Sequence, residues 1–362
     1  MPPVSNSTSP VAPGINQATT ARESSRAQVS TSQARNGSSL TRMASMYGII
    51  SSEMAEVERR ISAELQSPYE SLGEVLRHGT QLGGKRLRPA LVLLSGKAVG
   101  EVTEEHLVMA TVLEMVHTAT LVHDDVLDSA DRRRHVSTIN AKWNTDTSIL
   151  LGDYLFSQAF RLAANLSSTV ACQVVGEAAR QVCEGELRQI LNRGVWDLDE
   201  ETYLDMLRGK TAELLRAACE IGALQSTSVP EHAEALKRFG TALGIAFQLA
   251  DDFLDLWGTD ETVGKTLGTD IEQGKATLPV LRMLGQLDER SRKVALGILQ
   301  GPPERRVDEL RPWLEKTDAR EYTESVTRRF WRNSHAALQE LPESDAREAL
   351  KAIADFAIDR QF

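Results

Sequence analysis

From Met43 onward, apolar residues recur at spacings of three and four. They do so through Leu107, Ala110, Leu113, Val116, Ala119 and Thr120, and again through Leu204, Leu207, Leu214, Leu215 and Ala218. That is the period of helices with a buried face. No proline occurs between Pro89 and Pro230, so helices in that span can be long. Alternating β-branched or aromatic runs bounded by turn dipeptides are absent, so strands are not expected. Breaks fall at Gly83-Gly84, Gly194, Ser226–Pro230, Gly258–Gly274, Gly301-Pro302-Pro303 and Pro342, and no fixed-period repeat is present. The pattern predicts one all-α domain of ten or more helices over residues 43–362.

Residues 1–42 depart from this pattern. They hold fourteen Ser or Thr, four prolines, four arginines and one acid, Glu23, with no hydrophobic period. Such a segment cannot bury a core and reads as a disordered tail. An Arg- and Ser-rich, acid-poor start also has the character of an organellar transit peptide. No amphipathic helix is evident in it, so a plain extension of a cytoplasmic protein is preferred.

Composition narrows the class further. The chain has 362 residues, 41% hydrophobic and 25% charged, which suits a large core and excludes wholesale disorder. Cys172, Cys183 and Cys219 form no CxxC and read as buried thiols in a reducing compartment. No apolar run approaches the roughly 20 residues that cross a bilayer. A net charge of −10 argues against a nucleic-acid partner but leaves room for local basic clusters.

Two acidic segments interrupt the apolar helical pattern. They are Leu121-Val122-His123-Asp124-Asp125-Val126-Leu127-Asp128 and Gln248-Leu249-Ala250-Asp251-Asp252-Phe253-Leu254-Asp255, set 127 residues apart. Each reads DDxxD, and on a helix the first and last aspartates share a face. Carboxylates so crowded repel one another. Hard divalent cations relieve this, and Mg2+ commonly bridges carboxylates to substrate phosphates. One copy could be an exposed acidic turn; two copies in apolar contexts point to metal.

A phosphorylated ligand needs cations, and the sequence supplies several. Gly83-Gly84-Lys85-Arg86-Leu87-Arg88-Pro89 lies at a helix break, where Lys85 and Arg88 can reach one anion. The rival reading is a basic first turn with snorkelling side chains. His117 lies two turns before Asp124 and can join Lys85 and Arg88 at a second anion. Arg132-Arg133-Arg134 follows Asp128 closely. Gly264-Lys265-Thr266 is not a P-loop, since position 259 is Thr259 and no buried strand precedes it. Residues 264–279, with Lys265, Asp270 and Lys275, could form a flexible cationic lid. His123 reads as a packed imidazole, and His78, His106, His232 and His335 as ordinary packing or surface residues.

Taken together, GGKRLRP, HTATLVHDDVLD, the paired arginines, GDYLF, GKTAELL, FQLADDFLD and GKTLGTDIEQGKATLP resemble the trans-isoprenyl diphosphate synthases of the polyprenyl synthetase family. The likeness runs from about residue 50 to the C-terminus and weakens after about 300. It implies an antiparallel helix bundle around a central cavity, a homodimer, and head-to-tail condensation of isopentenyl diphosphate with an allylic diphosphate. It implies that Asp124, Asp125, Asp128, Asp251, Asp252 and Asp255 hold Mg2+, three ions per site, against the allylic diphosphate. Arg133, Lys210, Lys265 and Lys275 would bind that diphosphate, and Lys85, Arg88, His117 and Arg134 that of isopentenyl diphosphate. Thr211 and Gln248, with Lys210, would serve catalysis beside the reacting carbons. His135 stands where the family usually has glycine, which puts the local turn in question. Peripheral membrane contact for product release is a further implication.

Alternatives are a shorter-chain synthase, a non-catalytic regulatory subunit, a terpene cyclase or head-to-head enzyme, and a calcium-buffering helical protein. Regulatory subunits typically lose an aspartate motif; cyclases need no second anion pocket. A calcium buffer leaves the basic motifs unexplained. The two positions before the first motif's helical turn, Ala119 and Thr120, are small, with Val112, Met115 and Val116 as deeper walls. This predicts a medium- or long-chain product. Ala119→Phe or Ala119→Tyr is expected to shorten the product, read by chromatography of chain length; an unchanged length would sink this account.

Overall fold

The structure, a computed structural model, describes residues 46–81, 84–133, 136–258 and 267–358. The expected tail, the Arg134–His135 pair and Lys265 lie outside the described residues. Fourteen helices of eight or more residues are seen among the described residues. They are α1 (Ser51–Glu64), α2 (Glu70–Gln81), α3 (Leu87–Val99), α4 (Glu104–Leu127), α5 (Thr145–Ala164), α6 (Thr169–Leu191) and α7 (Glu200–Leu207). After them come α8 (Glu213–Leu224), α9 (Pro230–Trp257), α10 (Leu278–Gln286), α11 (Glu289–Leu299), α12 (Pro303–Glu315), α13 (Ala319–Leu338) and α14 (Asp345–Ile358). The all-α expectation holds, and each predicted break separates helices.

One short ladder departs from it. Arg132–Arg133 pairs antiparallel with Val136–Ser137, in register Arg132↔Ser137 and Arg133↔Val136. Two residues per strand are too few to leave a periodic signal. The thiols differ from expectation as well. Cys219 is buried, but Cys172 is half-buried and Cys183 exposed, all three free. No described helix is long and apolar enough to cross a membrane.

Local chemistry starts these helices. Asn144, Asp199 and Asp288 accept bonds from the backbone N–H three residues on, at 2.8, 2.6 and 2.9 Å, so α5, α7 and α11 begin with a satisfied donor. At α4 the Thr103 N–H donates to His106 Nδ1 at 3.0 Å. The far ring nitrogen of His106 sits 3.0 Å from the Gly222 carbonyl, tying the start of α4 to α8.

Burial places the helices. α3 is buried from Pro89 to Gly96, and α8 over most of its length, with Glu213, Arg216 and Glu220 paired along one face of α8. α4 packs on α3, α5 and α1, while α9 packs on α8 and α13. Because α8 touches both α4 and α9, the two motif-bearing helices lie on either side of it. Behind the second motif, Tyr203, Leu207, Ala212, Ile245, Leu249, Leu278 and Val326 form one apolar cluster. A fully buried leucine such as Leu249 contributes about 1.5–3 kcal/mol.

Between α7 and α8 the backbone opens into a π turn, Arg208–Ala212, that carries Lys210 and Thr211. Such turns widen the hydrogen-bonding pattern and recur at functional sites. It lies hard against α6 at Gly185, where an added Cβ would meet Lys210 N at 2.5 Å and Gly209 C at 2.9 Å. Gly185→Ala should therefore force α6 and the π turn apart, at about 1–3 kcal/mol, and lower the melting temperature. Gly176→Ala on the same helix meets nothing within 4 Å. It should be neutral or stabilise by up to about 1 kcal/mol in the same thermal unfolding experiment.

Candidate active site

Both acidic motifs sit at helix C-termini. α4 ends at Leu127 with Asp128 as its cap, and α9 ends at Trp257, just past Asp255. The last turn of a helix carries partial negative charge on its unpaired carbonyls. Asp124, Asp125, Asp128 and Asp255 are thus placed where the backbone itself repels them, with Asp251 and Asp252 one turn earlier. Burial raises the proton affinity of Asp124 to about 6, with Glu186 and Asp128 adding repulsion against the pull of Lys210 and Arg133. Burial also raises Asp252 and Asp255, and nearby Asp270 adds to both.

Cations from four elements answer this charge. Arg133 reaches back from the short ladder and places Nη2 2.8 Å and Nε 2.9 Å from Asp125 Oδ1. Arg193, just past α6, donates to Asp128 Oδ1 at 3.3 Å. Lys210 Nζ lies 2.5 Å from Glu186 Oε2 and 2.7 Å from Gln189 Oε1. Lys275 Nζ lies 3.4 Å from Asp270 Oδ1. Burial opposes the Lys275 charge, but Asp270, Asp128 and Glu186 outweigh it and raise its proton affinity.

The expected lid behaves otherwise in its described part. Thr269 donates to Asp255 Oδ1 through N–H at 3.2 Å and hydroxyl at 2.8 Å, and the Asp270 N–H donates to Oδ2 at 3.2 Å. Gly268 N–H donates to the Asp255 carbonyl at 2.7 Å, and Lys275 N–H to the Asp270 carbonyl at 2.8 Å. From Leu267 on, the segment is pinned to the second motif, so Lys275 is held in place.

Asp252 is tied into the protein on both oxygens. Tyr203 OH donates to Oδ2 at 2.5 Å and Gln248 Nε2 to Oδ1 at 2.8 Å, while Thr211 Oγ1 donates to Gln248 Oε1 at 2.8 Å. Gln248, Asp252, Lys210, Tyr203 and Lys275 line one cleft.

These side chains fit a hard divalent cation. The donors are oxygens, and burial, with neighbouring carboxylates adding to it, makes Asp124, Asp252 and Asp255 hold protons unusually well. Each bonded carboxylate also keeps lone pairs beyond those its protein donors use. Among the described residues no three His, Cys, Asp or Glu side chains are already drawn together as a metal cluster.

The second basic group lies at the start of α3. Arg86 adopts φ +52°, a left-handed conformation that costs a non-glycine residue roughly 1–2 kcal/mol. Its guanidinium holds Glu58 at 2.5 Å and the buried Glu114 of α4 at 2.9 Å, which fixes the turn. Tyr47 OH donates to the Lys85 carbonyl at 3.1 Å, and Lys85 Nζ stands 4.3 Å from the centre of the Phe356 ring. The Arg88 charge acts on Glu114, three residues before His117. Arg88 thus faces the stretch of α4 that carries Glu114 and, one turn on, His117. His117 lies about 10 Å along α4 from Asp124.

His123 packs as expected, with Nε2 3.1 Å from the Ile149 carbonyl and its ring 6.1 Å from that of Phe156. Arg193, Tyr203, Glu186 and Gln189 were not expected in the site. Only Arg193 carried a cue, its place beside the break residue Gly194.

Comparison with known proteins identifies the family. The polyprenyl synthetase family model matches residues 69–316. The heptaprenyl diphosphate synthase component 2 of Geobacillus stearothermophilus is 38% identical over 316 residues, 86% of this chain and 97% of that protein. A short chain isoprenyl diphosphate synthase of Methanothermobacter thermautotrophicus is 37% identical, covering 86% and 96%. Among solved structures, a decaprenyl diphosphate synthase from Rhodobacter capsulatus superposes with TM-score 0.83 at 32% identity, covering 88% and 99%. A polyprenyl synthase from Caulobacter crescentus, complexed with calcium and isoprenyl diphosphate, gives 0.81 at 34%, covering 89% and 98%. The chain belongs to the polyprenyl synthetase family and is a prenyltransferase.

Proposed function

We propose that this enzyme joins isopentenyl diphosphate head-to-tail to an allylic diphosphate, giving a medium- or long-chain all-trans polyprenyl diphosphate. One observation carries the reading. Lys210 and Lys275 line a cleft with Asp252 of one acidic motif and act electrostatically on Asp124 and Asp128 of the other, and His117 lies about 10 Å along α4 from Asp124. That spacing suits two diphosphates held side by side with their carbons between them.

Mg2+, three ions held by Asp124, Asp125, Asp128, Asp251, Asp252 and Asp255, would neutralise the diphosphate that leaves as the allylic C–O bond breaks. Arg133, Lys210 and Lys275, with Lys265, bind that diphosphate and stabilise its growing charge. Lys85, Arg88 and His117, with Arg134, hold isopentenyl diphosphate. Thr211 and Gln248 offer oxygen dipoles to the allylic cation, and apolar walls keep water from it. The isopentenyl double bond then attacks, and the departed pyrophosphate takes the final proton. No side-chain nucleophile is needed.

Relatives bear on the finer points. Three relatives whose names specify heptaprenyl, octaprenyl and nonaprenyl diphosphate synthases, at 33–38% identity, support the longer product. The short-chain relative at 37% keeps a shorter product as the second reading. In this chain Ala119, Val116 and Val112 are fully buried, so a growing chain must part the packing around them. A homodimer is proposed as the working assembly; "component 2" in a relative's name keeps a two-subunit assembly as the alternative. We place the enzyme in the cytoplasm, touching membrane only to release product, with the Ser/Thr-rich tail as an extension outside the catalytic domain.

The test is elongation by purified protein with Mg2+, labelled isopentenyl diphosphate and a farnesyl primer. Wild type should elongate. Asp124→Asn and Asp251→Asn should each lose on the order of 10²–10³-fold in kcat; no elongation with any primer would defeat the reading. A second outcome concerns stability. Asp124→Asn should raise the melting temperature of the metal-free protein, because it removes a charge that burial disfavours. Mg2+ should raise the wild-type melting temperature and raise that of the variant less.

A further inference from the structure

Tyr203, Asp252, Gln248 and Thr211 form a hydrogen-bond chain joining α7, the π turn and α9. Its direction is dictated by chemistry. Asp252 accepts from the Tyr203 hydroxyl on Oδ2 at 2.5 Å and from the Gln248 amide nitrogen on Oδ1 at 2.8 Å. With its NH2 so committed, Gln248 turns Oε1 towards Thr211, 2.8 Å away. A carbonyl oxygen cannot donate, so Thr211 must. Its hydrogen is spent on Gln248, and what it keeps for its other neighbours is lone pairs.

We propose that Tyr203 is a positioning residue that fixes this polarity, so that Thr211 presents oxygen lone pairs to the developing allylic cation and not its O–H. This rests on the function proposed above, which sets Thr211 beside the reacting carbons. The phenol is only 3% exposed, so water does not compete for its bond to Asp252. Without it, the buried Oδ2 loses a donor and the carboxylate is free to rotate towards other donors. Gln248 is then released, and its amide can turn over within the same volume. The turned amide would offer NH2 to Thr211, which would accept and aim its O–H hydrogen elsewhere. In a dry cavity a dipole reversed beside a cation is poorly screened and slows ionisation.

The experiment is a double-mutant cycle on elongation. Tyr203→Phe keeps the ring in its apolar cluster, and retention of fold is checked by melting. Its kcat should fall roughly ten-fold, with KM for both diphosphates held within about two-fold. In a Thr211→Val background the same change should cost less than about two-fold, because the group it acts through is already gone. Tyr322→Phe, which removes a hydroxyl bonded to Glu200 at 2.7 Å beside the same cluster, should leave kcat and both KM values as they are. An unchanged kcat in Tyr203→Phe overturns the proposal. So does an equal loss in both backgrounds, or a raised KM with kcat held, since Tyr203 would then serve only the cation site or the packing. Absence of elongation in the wild type would instead overturn the function itself.

Discussion

The constraint on which the rest depends is the placing of six carboxylates at and just before the C-terminal ends of two long helices. Both the aspartates and the terminal carbonyls are negative there, so the arrangement opposes itself. Every unusual feature nearby responds to it. Arg133 folds back on Asp125 from a ladder too short to be stable alone, and Arg193 reaches Asp128 from the end of α6. The segment after α9 turns its N–H groups onto Asp255. The protein meets part of the repulsion with its own donors and leaves the remainder to metal and substrate.

Much of this was legible in the residues. Helical periodicity and a long proline-free span define the class, because a helix buries its face at a fixed spacing. The two DDxxD motifs were legible for the opposite reason, as charges at positions the period would make apolar. The roles of Lys210 and Thr211 rest on resemblance to a family and not on spacing. What stayed hidden depends on tertiary contacts. Nothing near Tyr203 marks it as the partner of a residue 49 positions away, and nothing in Arg-Gly-Lys-Thr-Ala announces a π turn. The described part of the expected lid, from Leu267 on, is bonded to Asp255 in a way its sequence does not show. A Gly-rich stretch looks free until the carboxylate that binds its N–H groups is seen. The thiols were misjudged because cysteine is buried only by statistical habit.

Electrostatics and packing divide the labour between the two basic neighbourhoods. At the aspartate cleft the cations already have carboxylate partners, so an incoming diphosphate exchanges partners. At the start of α3 the acid, Glu114, is buried and held by Arg86, which shapes the turn that presents Lys85 and Arg88. Arg86 is therefore a brace, although it sits between two residues assigned to substrate.

The contact between Lys85 and Phe356 joins the two ends of the catalytic domain. Synthesis proceeds from the N-terminus, so Lys85 leaves the ribosome some 270 residues before the ring it rests on exists. The basic turn at the start of α3 is then among the last parts of the molecule to gain all its contacts. A chain cut short before Phe356 can carry both aspartate motifs and still leave Lys85 without the ring it rests on.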